Sequence, residues 1–111
     1  MSKTTTRTQT IEWPGVSGKN YTYYVHNWPN TFNSVPGNYI FCKIVNNQWV
    51  PVYIGEASDL SERFDNHHAM PCILRNGATH IHVHANKGGK QARLNEETDL
   101  RHNFKAPCNK Q

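Results

Sequence analysis

Two tyrosines, an arginine, a histidine and a glutamate stand in this chain in an order that would suit cleavage of a phosphodiester. They are Tyr39 in Gly37-Asn38-Tyr39, Tyr53 in Tyr53-Ile54-Gly55, Arg63 with His67 four residues on, and Glu97 followed by Asn109. A guanidinium matches phosphate oxygens with its planar fork. An imidazole carries a proton near neutral pH. A phenol whose proton is drawn off by a cation or a metal-bound water can position or deprotonate an attacking water. One carboxylate completed by water is a common way to hold Mg²⁺. Phosphoryl chemistry asks mainly for positioning and charge stabilisation, so a small set suffices.

Each residue also has an ordinary structural reading. Tyr39 and Tyr53 lie beside glycines on consecutive strand-like segments, where tyrosines commonly just pack. Arg63 and His67 share a face with Leu60 and Phe64, as the polar edge of an amphipathic helix would. Leu94, Leu100 and Phe104 define a stripe on a late helix; Glu97 falls inside it and Glu96 well off it. A carboxylate facing a sheet is costly without a partner. Arg93 and Arg101, at i−4 and i+4, offer Glu97 ion pairs as the alternative to a metal.

The elements that must position these residues are legible from local chemistry. Tyr21 to His26 is rich in strand formers. Asn38 to Val45 reads as a buried strand, Asn46-Asn47 as a turn, and Trp49 to Ile54 as the returning strand. Pro51 cannot donate to a ladder, so it belongs at a bulge or with its nitrogen facing outward. A helix is predicted next, with Ser58 or Asp59 as cap and Glu62 completing a capping box, carrying Leu60, Arg63, Phe64 and His67 on one face. Cys72-Ile73-Leu74 suggests a short helix closed by Asn76-Gly77. Thr79 to His84 alternates strictly, with Ile81 and Val83 on one side and His80, His82 and His84 on the other as a polar sheet face. A last helix runs from about Gln91 to Asn103. The chain divides into a frayed Thr-rich tail (1–9), an aromatic extension packing on the core (10–35) and a domain of 36–111.

The ordered set resembles the GIY-YIG nuclease family. Gly37-Asn38-Tyr39 takes the place of the first signature, with Asn38 where Ile or Val is usual, and Tyr53-Ile54-Gly55 is the second signature intact. The run from Tyr53 to Arg63 resembles the family's segment between YIG and its arginine. His67 matches a histidine of some restriction-type members, and Glu97…Pro107-Cys108-Asn109 resembles the family's terminal block. The resemblance implies an α/β (α+β) domain with a central three-stranded antiparallel sheet flanked by helices, here with an extra N-terminal strand. It implies DNA as partner, one Mg²⁺ or Mn²⁺, and hydrolysis of a DNA phosphodiester. By position, Tyr39 would be the general base or water-orienting phenol, and Tyr53 would position the nucleophile and scissile phosphate. Arg63 would steady developing charge, His67 would assist proton transfer or hold Tyr39, and Glu97 would bind the metal. Gly37, Gly55 and Asn109 would support the site. The alternative is a nucleic-acid-binding module of the same fold without catalysis.

Composition is compatible with both. Twelve Lys and Arg against eight Asp and Glu among 111 residues give a net charge of +4, which favours acidic partners. Lys87, Lys90, Arg93 and Lys105 are candidate contacts to a nucleic-acid backbone, with Gly88-Gly89 allowing close approach of amides. The aromatics Trp13, Tyr21, Tyr23, Tyr24 and Trp28 either extend the core or stack on bases. No apolar run reaches the ~18 residues of a membrane span, and the N-terminus has no secretory h-region. Three widely spaced cysteines, Cys42, Cys72 and Cys108, do not make a disulfide framework and predict a reduced, cytoplasmic protein. They also lack the close pairs of a zinc site. One such domain cuts one strand, so duplex scission would need a homodimer or two visits, and specificity would be low, structural or supplied by a targeting partner.

Overall fold

The β-hairpin at the centre of the molecule follows from two local features. Asn46 and Asn47 both take positive φ, 54° and 64°, which a two-residue hairpin turn of the favoured hand requires and asparagine tolerates. They join β3 (Gly37–Val45) to β4 (Gln48–Ala57). The register passes from Cys42↔Pro51 to Phe41↔Tyr53, leaving Val52 over as a bulge beside the proline on an edge strand. In this computed structural model, which describes residues 9–109, the remaining elements are β1 (Thr10–Pro14), β2 (Asn20–Asn27), α1 (Met70–Arg75), β5 (His80–Ala85) and α2 (Lys90–Asn103).

The strands form one antiparallel sheet of order β1-β2-β5-β3-β4. It is therefore an α+β fold with five strands among the described residues, where three core strands and one added N-terminal strand were expected. β1 is the unforeseen strand. Its two apolar residues, Ile11 and Trp13, are too few for a period-two pattern and Pro14 follows at once. Pairing with β2 and the turn from Gly15 to Lys19 make the strand. Most of the tail 1–9 lies outside the described residues; Gln9, at its end, accepts a bond from the Val25 amide.

Alternation along the strands gives the sheet two packed faces. Tyr39, Phe41, Tyr53, Ile81 and Val83 meet Leu60, Ile73, Trp28, Phe32 and Phe64 on one side. Trp13, Tyr23, Ile40, Cys42 and Ile54 meet Leu100 of α2 and Phe104 on the other. The aromatic extension is thus largely core; of its tyrosines Tyr24 is the one markedly exposed. The three-histidine face is not a solvated surface. His82 is fully buried, with Nδ1 accepting from Trp13 Nε1 at 3.0 Å and Nε2 3.3 Å from Cys42 Sγ. Burial pushes its pKa down to about 4.

Three further expectations are corrected. The helix predicted after Ser58 does not form; 58–69 is a series of turns. The Asp59 carboxylate accepts from the Ser61 amide (2.9 Å), Ser61 Oγ (2.6 Å) and Ser34 Oγ (2.9 Å). Such local side-chain bonds compete with helix. The segment is also drawn across to Val35, whose carbonyl accepts from the Leu60 amide at 2.8 Å. Second, α2 buries Arg93, Glu96 and Leu100, not the stripe through Leu94 and Glu97. A helix with so few apolar residues does not announce its inner face, and here the sheet supplies polar partners. Third, Cys72 and Cys108 are joined in a disulfide, 36 residues apart with Cα atoms at 5.8 Å, tying α1 to the segment after α2. Spacing alone cannot reveal such a pair. Cys42 is the buried free thiol. Among the described residues no helix is long and apolar enough to cross a membrane.

Candidate active site

The two glycines of the YIG-like and GIY-like triplets permit close approach. A Cβ on Gly55 would stand 2.6 Å from the Tyr39 hydroxyl and 2.8 Å from Tyr53 Cε1. A Cβ on Gly37 would meet the His84 carbonyl at 2.7 Å and Leu60 Cδ1 at 2.8 Å. Tyr39 lies opposite Gly55 across β3 and β4, so its ring leans over the space where a side chain would be. The Tyr39 and Tyr53 rings are near parallel, 21° apart with centroids at 6.0 Å.

Arg63 and His67 reach this pair without the helix expected to carry them. Arg63 Nε donates to the Tyr39 hydroxyl at 3.2 Å, and His67 Nε2 lies 2.7 Å from the same oxygen. The Ala69 amide donates to His67 Nδ1 at 3.1 Å. An imidazole nitrogen that accepts carries no proton, so neutral His67 bears its proton on Nε2 and donates it to Tyr39. His67 stays neutral because burial, then Arg63 and His68, push its pKa down to about 4. Burial foremost, with Tyr53 and Glu97 adding, holds the Tyr39 phenol well above its ordinary value against the pull of Arg63. Tyr53 is raised by burial and Glu97, with Arg63, Arg101 and Tyr39 acting against them.

Among the described residues Glu97 has one ion pair, a long one of 3.9 Å to Arg101. The second arginine expected on it, Arg93, is buried and turned to Glu56, Nε to Oε1 at 3.0 Å. Burial raises the Glu97 pKa; Arg101 opposes it, Glu56 adds to it, and Arg63 and Lys90 oppose it. Its field reaches both phenols. Among the described residues no group of three or more His, Cys, Asp or Glu is disposed around a metal. A cation here would have Glu97 as its protein carboxylate and oxygen from water or substrate for the rest, a donor set that fits Mg²⁺ or Mn²⁺.

The surroundings sort the candidate cations. A cleft of about 820 Å³ beside Arg63 is lined by Glu56, Asp59, Glu62, Asp65 and Lys90, so acids outnumber bases. Lys90 stands 3.7 Å from Glu56, and Lys87 is exposed on the loop before α2. Lys105 shares a groove of about 340 Å³ with Arg101, Phe104 and Asn109. Arg93, as Glu56's partner, is not free to meet a phosphate. Asn109 clamps β4 between Tyr53 and Gly55: its Oδ1 accepts from the Ile54 amide at 2.7 Å and its Nδ2 donates to the Ile54 carbonyl at 2.9 Å.

Sequence spacing overlooked a second polar cluster, on the opposite face of the sheet. Glu96, 3% exposed, accepts from Tyr23 Oη (2.6 Å), Asn86 Nδ2 (3.1 Å) and His84 Nδ1 (2.9 Å). Asn38, fully buried, donates to the Arg93 carbonyl at 2.9 Å and accepts from Asn86 at 3.1 Å. This accounts for a polar residue at the middle of the first triplet. The only signal in the chain was the spacing of Arg93, Glu96 and Leu100, i, i+3 and i+7, which points to a face but not to partners 10 to 73 residues away. The chain matches no protein-family model, no curated protein and no solved structure.

Proposed function

We propose that this chain is a GIY-YIG-type, metal-dependent endonuclease that hydrolyses DNA phosphodiester bonds. The observation that carries the reading is the convergence of Tyr39, Tyr53, Arg63 and His67 on one face of the sheet, with the Glu97 carboxylate close enough to act on both phenols. Strands β5, β3 and β4 would be the family's three-stranded centre, and β1 and β2 an addition to it. A bound divalent cation polarises the phosphate and makes a coordinated water more acidic. Glu97 would hold that cation. Arg63 commits Nε to Tyr39 and has its remaining N–H groups for the phosphate oxygens. Lys105 and Arg101 attract the neighbouring backbone electrostatically.

The test is nicking of supercoiled plasmid with Mg²⁺ or Mn²⁺. Arg63→Ala should lose roughly 10²–10³ in rate, as removal of one charge-stabilising donor commonly does. Glu97→Ala should lose at least as much. Equal activity in all three proteins would place the cleavage in a contaminant. Binding to DNA that weakens steeply with salt, with no cleavage in any divalent metal, would assign the non-catalytic module instead. A cytoplasmic location remains part of the proposal, and it requires that Cys72–Cys108 survive or be dispensable in a reducing compartment.

A further inference from the structure

On the face of the sheet away from Arg63, the Glu96 cluster borders a pocket of about 500 Å³, a volume in the range of small-molecule sites. Glu96 Oε2 accepts the Tyr23 hydroxyl at 2.6 Å; burial and then Glu96 hold that phenol well above its ordinary value, so it stays the donor. The same oxygen lies 2.9 Å from His84 Nδ1. An ionised carboxylate only accepts, so Nδ1 carries a proton and the buried carboxylate sets the tautomer of His84. The two nitrogens of an imidazole lie on different edges of the ring. With Nδ1 turned to a buried oxygen, the surface that His84 keeps, 33% of its side chain, falls to the edge that carries Nε2. Among the described residues no protein group bonds Nε2.

The other polar groups on the pocket wall leave donors facing it. Asn95 gives Oδ1 to Gln91 at 2.9 Å and keeps its Nδ2–H groups. Lys19 is exposed, with Nζ 5.7 Å above the Tyr21 ring. Asn86 is committed to Asn38, Glu96 and the Gly88 amide. Glu96 is the one carboxylate on the wall, and its oxygens are occupied by Tyr23, His84 and Asn86. Donors from the turn before β2, from β5 and from α2 therefore converge on one cavity. A single imidazole does not hold a transition metal, and among the described residues no group of three His, Cys, Asp or Glu is disposed to help it. An anion with several oxygens fits the set.

We propose that this pocket binds a phosphate group, with His84 as its central ligand. One phosphate oxygen accepts from His84 Nε2, which takes its proton from solvent. The imidazolium then stands between two anions, Glu96 behind it and the phosphate in front. Lys19 and Asn95 donate to the remaining oxygens. A free phosphate and the diester of a nucleic-acid backbone present the same oxygens to these donors. The site is separate from the one proposed for cleavage and does not depend on it.

Titration of the full chain, followed by nitrogen NMR of its amides and imidazoles, tests this with two probes. One is inorganic phosphate; the other is a dinucleoside phosphate, whose only phosphate is a diester. With the probe that binds, His84 should carry protons on both ring nitrogens at saturation, and the amides of Lys19, Asn20 and Asn95 should shift. Tighter binding of inorganic phosphate assigns a free or terminal phosphate, and tighter binding of the dinucleoside phosphate assigns a nucleic-acid backbone. His84→Ala and Lys19→Glu should each weaken binding by about 10-fold or more, as loss of a charge-assisted hydrogen bond does. Lys19 is exposed and outside the Glu96 network, so its variant reports even where His84→Ala fails to fold. Binding of neither probe, an Nε2 that stays bare at saturation, or unchanged affinity in Lys19→Glu overturns the proposal. Nicking enters none of these readouts, so a chain that cuts no DNA defeats the nuclease reading alone.

Discussion

Glu96 and Glu97 are neighbours on one helix and end in opposite circumstances. Glu96 is buried and well partnered: a phenol, an imidazole and an amide all point at its oxygens. Glu97 is half-buried, sits 3.9 Å from Arg101, its one ion partner among the described residues, and stands in the field of Glu56. Buried polar groups that are satisfied specify a fold. A half-buried carboxylate with one long ion pair, its pKa raised by burial, is the kind that functional sites use. The contrast extends to the faces of the sheet. The Glu96 cluster ties Tyr23, His84, Asn86 and Asn38 into one network and borders a pocket of about 500 Å³, while on the Tyr53 face Arg63 lines a cleft of about 820 Å³. Adjacent positions, alike in residue type, therefore differ in how fully the fold satisfies them.

The widest separation should come from exchanging each carboxylate. Glu97→Gln should lower nicking by about 10³ or more and leave the melting temperature unchanged or slightly higher, since its charged form is disfavoured by the fold. Glu96→Ala should do the reverse. It orphans the buried Tyr23 hydroxyl and two half-buried donors, so about 2–3 kcal/mol of stability should go, with cleavage retained at temperatures where the chain stays folded. Thermal melts beside nicking assays decide it; parallel losses in both readouts would erase the distinction.

Reduction probes the Tyr53 side next. The Cys72–Cys108 bond closes a loop of 36 residues beside Asn109, so opening it should cost about 3 kcal/mol. The check is denaturant unfolding with and without dithiothreitol, together with a thiol count on the unfolded chain, expected to be one before reduction and three after.

Acid should strain both faces at once. His67 and His82, one on each face, are held neutral with pKa values near 4 against an ordinary 6.5. The unfolded chain therefore binds more protons than the folded one between those values. Stability is full above about pH 6.5 and falls as pH drops towards 4, by on the order of 2–3 kcal/mol per histidine. Unfolding at pH 7.5 and pH 5 measures it; a flat profile would mean that neither ring is held neutral by the fold. The smallest effect should be that of Tyr23→Phe, about 1–2 kcal/mol, because it removes one of Glu96's three donors and leaves the ring packed.

The parts of this fold that were legible are those written in short-range chemistry. Asn46-Asn47 marked the hairpin, Pro51 marked the bulge, and the alternation of Ile81 and Val83 marked β5, because positive φ, a missing N–H and period two are properties of adjacent residues. The length of α2 was legible too, but not its inner face. Arg93 and Glu96 are inward for reasons that lie on β2, β4 and β5. The turns of 58–69 were misread as helix because Leu60, Arg63, Phe64 and His67 have helical spacing; a loop bonded to Ser34 and Val35 delivers Leu60, Arg63, Phe64 and His67 to the same place.

From its order of residues alone, this chain determined which groups were available for chemistry and where the backbone would turn, since both depend on side-chain identity and nearest neighbours. Which glutamate is satisfied, which phenol is sealed, which cysteines pair and which nitrogen of His67 carries the proton were decided only by tertiary packing. Each of those depends on a partner brought from elsewhere in the chain, or on a backbone amide whose direction the fold sets.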